Sequence, residues 1–220
     1  MEIVRPATQA MRRAATRERI VRAGSDLFET RGYDETSIRD ISAAAGVAAR
    51  TVYLHFESKA AILLAYFDDW IDDFVAAICA GPPGEDVDAA VARAYAVLDA
   101  EGKVDNRTFD EMGGPHPIIE LFASSNLDIP GHVLQSWVRA QDVLTEHFAG
   151  TERAGHGSVV PRTKAAAIFA TWMVVLLSYR DERSGAGSHA GPLHEIAFAA
   201  LRQFGSGLNP RDARGAGDHP

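Results

Sequence analysis

Gly32, Ser37, Gly46 and Ser58 cut the first sixty residues into helical lengths too short to stand alone, and no other feature constrains the fold as tightly. A glycine just past an apolar periodic run stops a helix, and a serine just before one caps it. The first helix spans about Thr16 to Arg31, with Ile20, Gly24, Leu27, Phe28 and Arg31 on one stripe, and Gly32 ends it. Ser37 caps a second helix, with Asp40 three residues on as a capping-box analogue. That helix buries Ile38, Ile41 and Ala45 and ends at Gly46. A third spans about Ala49 to His55. Helices this short are marginal in water by themselves, so they must pack on one another.

The remaining sequence keeps the helical period, and no alternating strand interrupts it. Ser58 caps a long fourth helix reaching about Ala80, with Ile62, Leu63, Tyr66, Phe67, Trp70, Phe74 and Ile78 as its apolar stripe. Gly81-Pro82-Pro83-Gly84 breaks the chain. A fifth helix runs from Asp86 to about Ala100, and residues 101–117 are irregular around Gly113-Gly114-Pro115. A short helix over Ile118–Ser125 and a longer one over Gly131–Phe148 follow. After a polar loop at 150–161, two helices cover about Arg162–Arg183 and Pro192–Gly205. The fold class is all-α, with about nine helices. The expected organisation is a three-helix helix-turn-helix domain over residues 1–60, a helical domain over 61–208, and a polar, Gly-rich, disordered tail over 209–220.

Charge is divided along the chain. The net charge is −8. Residues 1–60 nevertheless hold ten basic and eight acidic side chains, and the rest holds twelve and twenty-two. Six of the basic residues fall within the first 25. An acidic body can orient a mildly basic head toward a polyanion, or simply keep the chain in solution. No run of 18 apolar residues exists, so no membrane span is expected. Without an apolar segment behind the N-terminal arginines, a secretory signal is not expected either, and the chain reads as cytoplasmic. The single cysteine, Cys79, agrees with that.

Two short helices joined at Gly46 have the helix-turn-helix shape, and glycine supplies the left-handed turn without penalty. The second helix of such a pair enters a DNA major groove. Arg50 and Thr51 stand early enough on it to reach base edges: arginine can bond guanine O6 and N7 together, and a threonine methyl can touch thymine. Ser37, Arg39, Ala49 and Leu54 belong to the same candidate face. Tyr53 and His55 offer polar tips to phosphate, and Lys59 opens the next helix, where charge and exposed amides both suit phosphate. Val52 and Phe56 read as packing residues. On these grounds alone the segment also fits an ordinary helical protein, with Tyr53 a half-buried aromatic.

The stretch TSIRDISAAAGVAARTVYLHFESKAAIL resembles the DNA-binding head of the TetR family of transcriptional regulators. Thr36, Ile38, Ile41, Ala45, Gly46, Val47, Thr51, Tyr53, His55, Phe56, Lys59 and Leu63 stand at the family's spacing. Ile20, Ala23, Leu27, Phe28, Gly32 and Tyr33 match its leading helix. The likeness covers about residues 15–65. Ala48 departs from it where a capping residue is usual, and Arg50 where glycine or proline is usual; Arg50 is therefore the candidate for this chain's own operator preference.

The resemblance implies a body that binds a small effector and forms a homodimer, and repression as the default. Two heads about one DNA turn apart, ~34–36 Å, would read a palindromic operator on double-stranded DNA. The last two helices are the expected interface, through Phe169, Trp172, Leu176, Phe198 and Leu201. The expected pocket draws Trp70, Phe74 and Tyr95 from the early body helices. From the irregular and later segments it draws Phe109, Met112, His116, Phe122, Trp137 and Gln141. Such a lining favours a hydrophobic or aromatic ligand, with helix four shifting like a pendulum to couple body to head. No cofactor, structural metal or catalytic residue is assigned. The motifs HExxH, GxSxG, GxGxxG and the P-loop are all missing, so an enzyme is disfavoured. A metal- or redox-responsive regulator stays open through His116, His132, His147, His156 and Cys79, as does a helical adaptor that has lost DNA binding.

Overall fold

The computed structural model describes residues 8–104, 106, 126–151, 159–182, 195, 197 and 199–202, with backbone alone at 151 and 174–182. Every regular element among them is helical: α1 (Gln9–Arg31), α2 (Ile38–Ala44), α3 (Ala49–Tyr53), α4 (Lys59–Leu63), α5 (Ala65–Cys79), α6 (Val87–Ala100), α7 (Asp128–Thr151) and α8 (Val160–Glu182). Residues 195, 197 and 199–202 are also helical. The expected short helix over 118–125, most of the irregular 101–117 stretch and the tail over 209–220 lie outside the described residues.

Contacts divide the chain into two units, Met1–Asp68 and Asp69–Pro220. The first ends eight residues beyond the boundary read from the sequence because Ala61, Ile62 and Ala65 belong to its core. There they join Ile20, Val21, Ile41, Val52 and Phe56, with Leu27, Phe28, Ile38 and Val47 packed around them. The serine and glycine signals act as expected. Ser37 and Asp40 form a complete capping box on α2. The Ser58 hydroxyl accepts from the Ala61 amide at 3.0 Å on α4. Gly32 and Gly46 take φ of +88° and +64°. At Gly24, α1 and α4 approach so closely that a Cβ would stand 2.6 Å from the Ile62 Cγ2 methyl.

Several boundaries differ from the sequence reading, each for a local reason. α1 begins at Gln9 rather than Thr16, capped by Thr8. The long fourth helix is two helices, parted at Leu64, where φ −95° and ψ 13° leave the α region. That break turns the apolar stripe: Leu64, Ala65, Ile71, Phe74, Val75 and Ile78 are buried, while Tyr66 is 67% exposed. α7 starts at Asp128 and α8 at Val160, a few residues earlier than expected. Pro130 and Pro161 look like breakers in sequence, but each sits in the first helical turn, where no amide partner is needed.

In the second unit α7 packs on α8. Arg93 on α6 closes the C-terminal end of α5, donating to the carbonyls of Ala77 at 2.7 Å and Ile78 at 3.1 Å while both carboxylate oxygens of Glu85 hold the guanidinium. The guanidinium passes so close to Gly81 that a side chain there would have to displace it.

Candidate nucleic-acid interface

α3 has five residues, and Ala48 before it makes no side-chain cap bond. It is held from its inner side instead. Val52 is fully buried and Phe56 nearly so, each contributing about 1.5–3 kcal/mol by leaving water. That outweighs the roughly 1 kcal/mol a missing cap forgoes. The turn ahead of α3 is closed by backbone alone: the Gly46 amide donates to Ala43 O at 3.2 Å and the Val47 amide to Ser42 O at 3.0 Å.

With Val52 turned inward, Ala49, Arg50, Tyr53 and Leu54 face out. Tyr53 is 61% and Leu54 65% exposed. Arg50 lies three and four residues before them, so the three side chains share one helical face. Thr51 and His55 flank that face, half-buried. Arg39 is exposed on α2. An arginine, a phenol and a leucine projecting together from a short, rigidly seated helix can enter a groove and meet base edges.

Two other expected contact residues are engaged within the head, and a third is shifted in its titration. The Ser37 hydroxyl accepts from the Asp40 amide at 3.1 Å and donates to the Asp40 carboxylate, so it is occupied in the cap. The Lys59 ammonium points back into the head, donating to Tyr33 O at 2.7 Å and Thr36 O at 3.0 Å, 4.0 Å from the centre of the Tyr33 ring. His55 is pushed below its ordinary range by burial, then by the charges of Arg13 and Arg17. A neutral imidazole can donate a hydrogen bond to phosphate but brings no positive charge. The arginines on the N-terminal turns of α1 bring positive charge to the same side of the head as His55. Their sequence trace is the cluster of basic residues before Ile20.

In the second unit, part of the expected pocket set is brought together. Trp70 stacks on Phe74 with ring centres 5.3 Å apart, and Tyr95 tilts against both. Trp172, expected at a dimer interface, meets Trp70 at 5.9 Å and Tyr95 at 6.1 Å within the chain. The Trp70 indole donates to Lys103 O. Trp137 tilts against Phe169, ring centres 6.1 Å apart, and Gln141 is half-buried on α7. Phe169 and Leu201, also expected at an interface, are buried at 2% and 4% exposure within the single chain, which covers them without a partner. Phe109, Met112, His116, Phe122 and Phe198, and the Leu176 side chain, lie outside the described residues. His132 and His147 both belong to α7. Fifteen residues apart on one helix, they are separated by ~22 Å along its axis and cannot share a metal ion. His116 and His156 lie outside the described residues. Burial raises the Cys79 thiol above its ordinary range, against a reactive thiolate. No helix among the described residues is long and apolar enough to cross a membrane.

Residues 20–66 match the family model described as bacterial regulatory proteins, tetR family. The HTH-type transcriptional repressor DhaR of Mycobacterium sp. (strain GP1) is 25% identical over 182 residues, 79% of this chain and 87% of that protein. The HTH-type transcriptional regulator TcmR of Streptomyces glaucescens is 32% identical over 80 residues, 36% of this chain and 35% of its own length. Among solved structures, Thermus thermophilus FadR, a TetR-family transcriptional repressor in complex with lauroyl-CoA, has the same fold with a TM-score of 0.51 at 22% identity, covering 92% of this chain and 100% of that one. With residues 20–66 matching the family model, α3 seated and its outer face open, the chain carries the DNA-binding head of the tetR family of bacterial regulatory proteins.

Proposed function

We propose that the chain is a ligand-released homodimeric repressor that reads a palindromic operator through α3. The carrying observation is the division of α3 into a buried anchor, Val52, and an outward face of Arg50, Tyr53 and Leu54. One such face supplies two or three base contacts, too few for ordinary specific affinity, and a second head would supply the rest. The unit to Asp68 is the DNA-binding domain in this reading, and the unit from Asp69 holds the effector and the dimer contacts. The Trp70, Phe74, Tyr95 and Trp172 cluster favours an effector with hydrophobic or aromatic surface. α5 crosses from one unit to the other, and an effector that prefers one setting of that helix would shift operator affinity by its differential binding.

Selection of sequences from a random duplex pool by the full chain, followed by footprinting at several salt concentrations, tests the reading. The expected result is a palindrome with half-sites about one turn apart, ~10 base pairs, and affinity that falls steeply with salt. Enrichment of no sequence at low salt sinks it.

A further inference from the structure

We propose that the N-terminal turns of α1 form a second DNA contact, in which Arg12 and Arg13 bind backbone phosphates beside the groove that α3 enters; the inference rests on the α3 reading above. α1 begins at Gln9, eleven residues before Ile20, where both the head's core and the family match begin. Residues 8–15 are exposed, so these turns bury no core of their own. Residues 9–19 carry four arginines, Arg12, Arg13, Arg17 and Arg19, against one acid, Glu18. Glu18 is engaged one turn on by Arg22 at 2.7 Å, and residues 9–17 hold no acid.

The direction of the extension comes from a contact with the segment that follows α3. The Arg17 guanidinium lies 5.3 Å from the centre of the Phe56 ring, and Phe56 is the residue that pins the chain behind α3. Arg13 precedes Arg17 by one helical turn, ~6 Å along the axis, on the same face. Arg12 is on the neighbouring stripe that continues through Thr16 to the core residue Ile20. The charges of Arg13 and Arg17 are both felt at His55. The core-facing side of α1 thus runs on past the core as a basic ledge beside α3. A guanidinium presents a fork of donors that matches two phosphate oxygens. A ledge flanking a groove-reading helix meets the sugar–phosphate wall rather than base edges, so it adds affinity without adding sequence preference.

The test compares the full chain with Arg12→Gln/Arg13→Gln and Arg12→Lys/Arg13→Lys variants on the duplex that the unaltered chain enriches from a random pool. The glutamine pair should weaken binding roughly tenfold at moderate salt and flatten the log–log salt dependence by about one for each arginine per bound head. It should enrich the same sequence and unfold at an unchanged temperature. The lysine pair should keep the salt slope. Unchanged affinity and slope in the glutamine pair, or a changed sequence preference, overturns the proposal while leaving the α3 reading intact. If the unaltered chain enriches nothing, both fall together.

Discussion

Lys59 donates to the carbonyl of Tyr33 at 2.7 Å and lies 4.0 Å from the centre of the same residue's ring, so one ammonium grips both the backbone and the side chain of the turn after α1. A further bond to Thr36 O at 3.0 Å ties α4 to the entry of α2. The Tyr33 ring in turn packs against Phe28, centres 5.4 Å apart. The cation that sequence pattern assigns to phosphate is therefore also the fastener of the head.

Lys59→Met should lower the stability of the head by about 2 kcal/mol, since a charged donor to a carbonyl is worth roughly 1.5–3 kcal/mol and the ring contact about 0.5–1 more. Two carbonyls would lose a donor, and methionine restores only the packing of the stem. Denaturant unfolding of the full chain measures the loss. A variant of unchanged stability whose DNA affinity fell with a shallower salt slope would return Lys59 to the phosphate-binding set.

Gly24→Ala tests the close crossing of α1 and α4. Alanine is favoured over glycine within a helix by about 1 kcal/mol. Its methyl would stand 2.6 Å from the Ile62 Cγ2, and Ile62 is 1% exposed with nowhere to retreat. Overpacking of this kind costs about 1–3 kcal/mol, so the net effect should be destabilising. The pairing is checked by a double-mutant cycle. Ile62→Ala removes the opposing methyl, and Gly24→Ala made on that background should become neutral or stabilising. Independent, additive effects would show that the crossing is not what limits position 24.

The head was legible where a single residue type has a single backbone consequence. Gly32, Gly46, Ser37 and Ser58 stand as turn and cap because φ above zero and an orphan amide each admit few solutions. Val52 and Phe56 were legible as anchors because the helical period leaves them one side to face. What escaped depended on contacts distant in sequence. Nothing near Lys59 announces the carbonyls of Tyr33 and Thr36, and nothing near Trp172 announces Trp70 and Tyr95. The break at Leu64 carries no glycine or proline to mark it, so in sequence the apolar stripe across it reads as one helix. The early start of α1 was hidden because an exposed basic helix has no apolar period to betray it.

Ser37 and Asp40 make a pH-dependent cap. Hydrogen bonds from the Ser37 hydroxyl and amide hold the Asp40 carboxyl below its ordinary value of 3.8. A carboxylate whose pKa is depressed by folding stabilises the fold above the unfolded value, and that contribution is lost as pH falls through the folded one. Head stability should therefore decline below about pH 4 in part through this group. Ser37→Ala should move the Asp40 titration, followed by NMR, back up toward 3.8 and make that part of the acid decline shallower. It should also cost about 1 kcal/mol at neutral pH through loss of the cap. An Asp40 titration indifferent to Ser37 would show that the charges of Arg31 and Arg39, not the cap, set it.

Arg50 separates base reading from phosphate docking within α3. It is exposed, on the face shared by Tyr53 and Leu54, and its removal leaves the Val52 anchor untouched. Arg50→Ala should leave unfolding unchanged and cost about 1–3 kcal/mol in binding to the enriched operator, confined to duplexes that carry one particular base pair. Guanine is the base whose O6 and N7 accept both arms of the fork, so transversion of one guanine in each half-site should match the loss. The variant should bind the original and the transverted duplex alike. Equal weakening on every base variant, with a shallower salt slope, would instead assign Arg50 to phosphate, leaving Thr51, Tyr53 and Leu54 to carry whatever sequence preference α3 has.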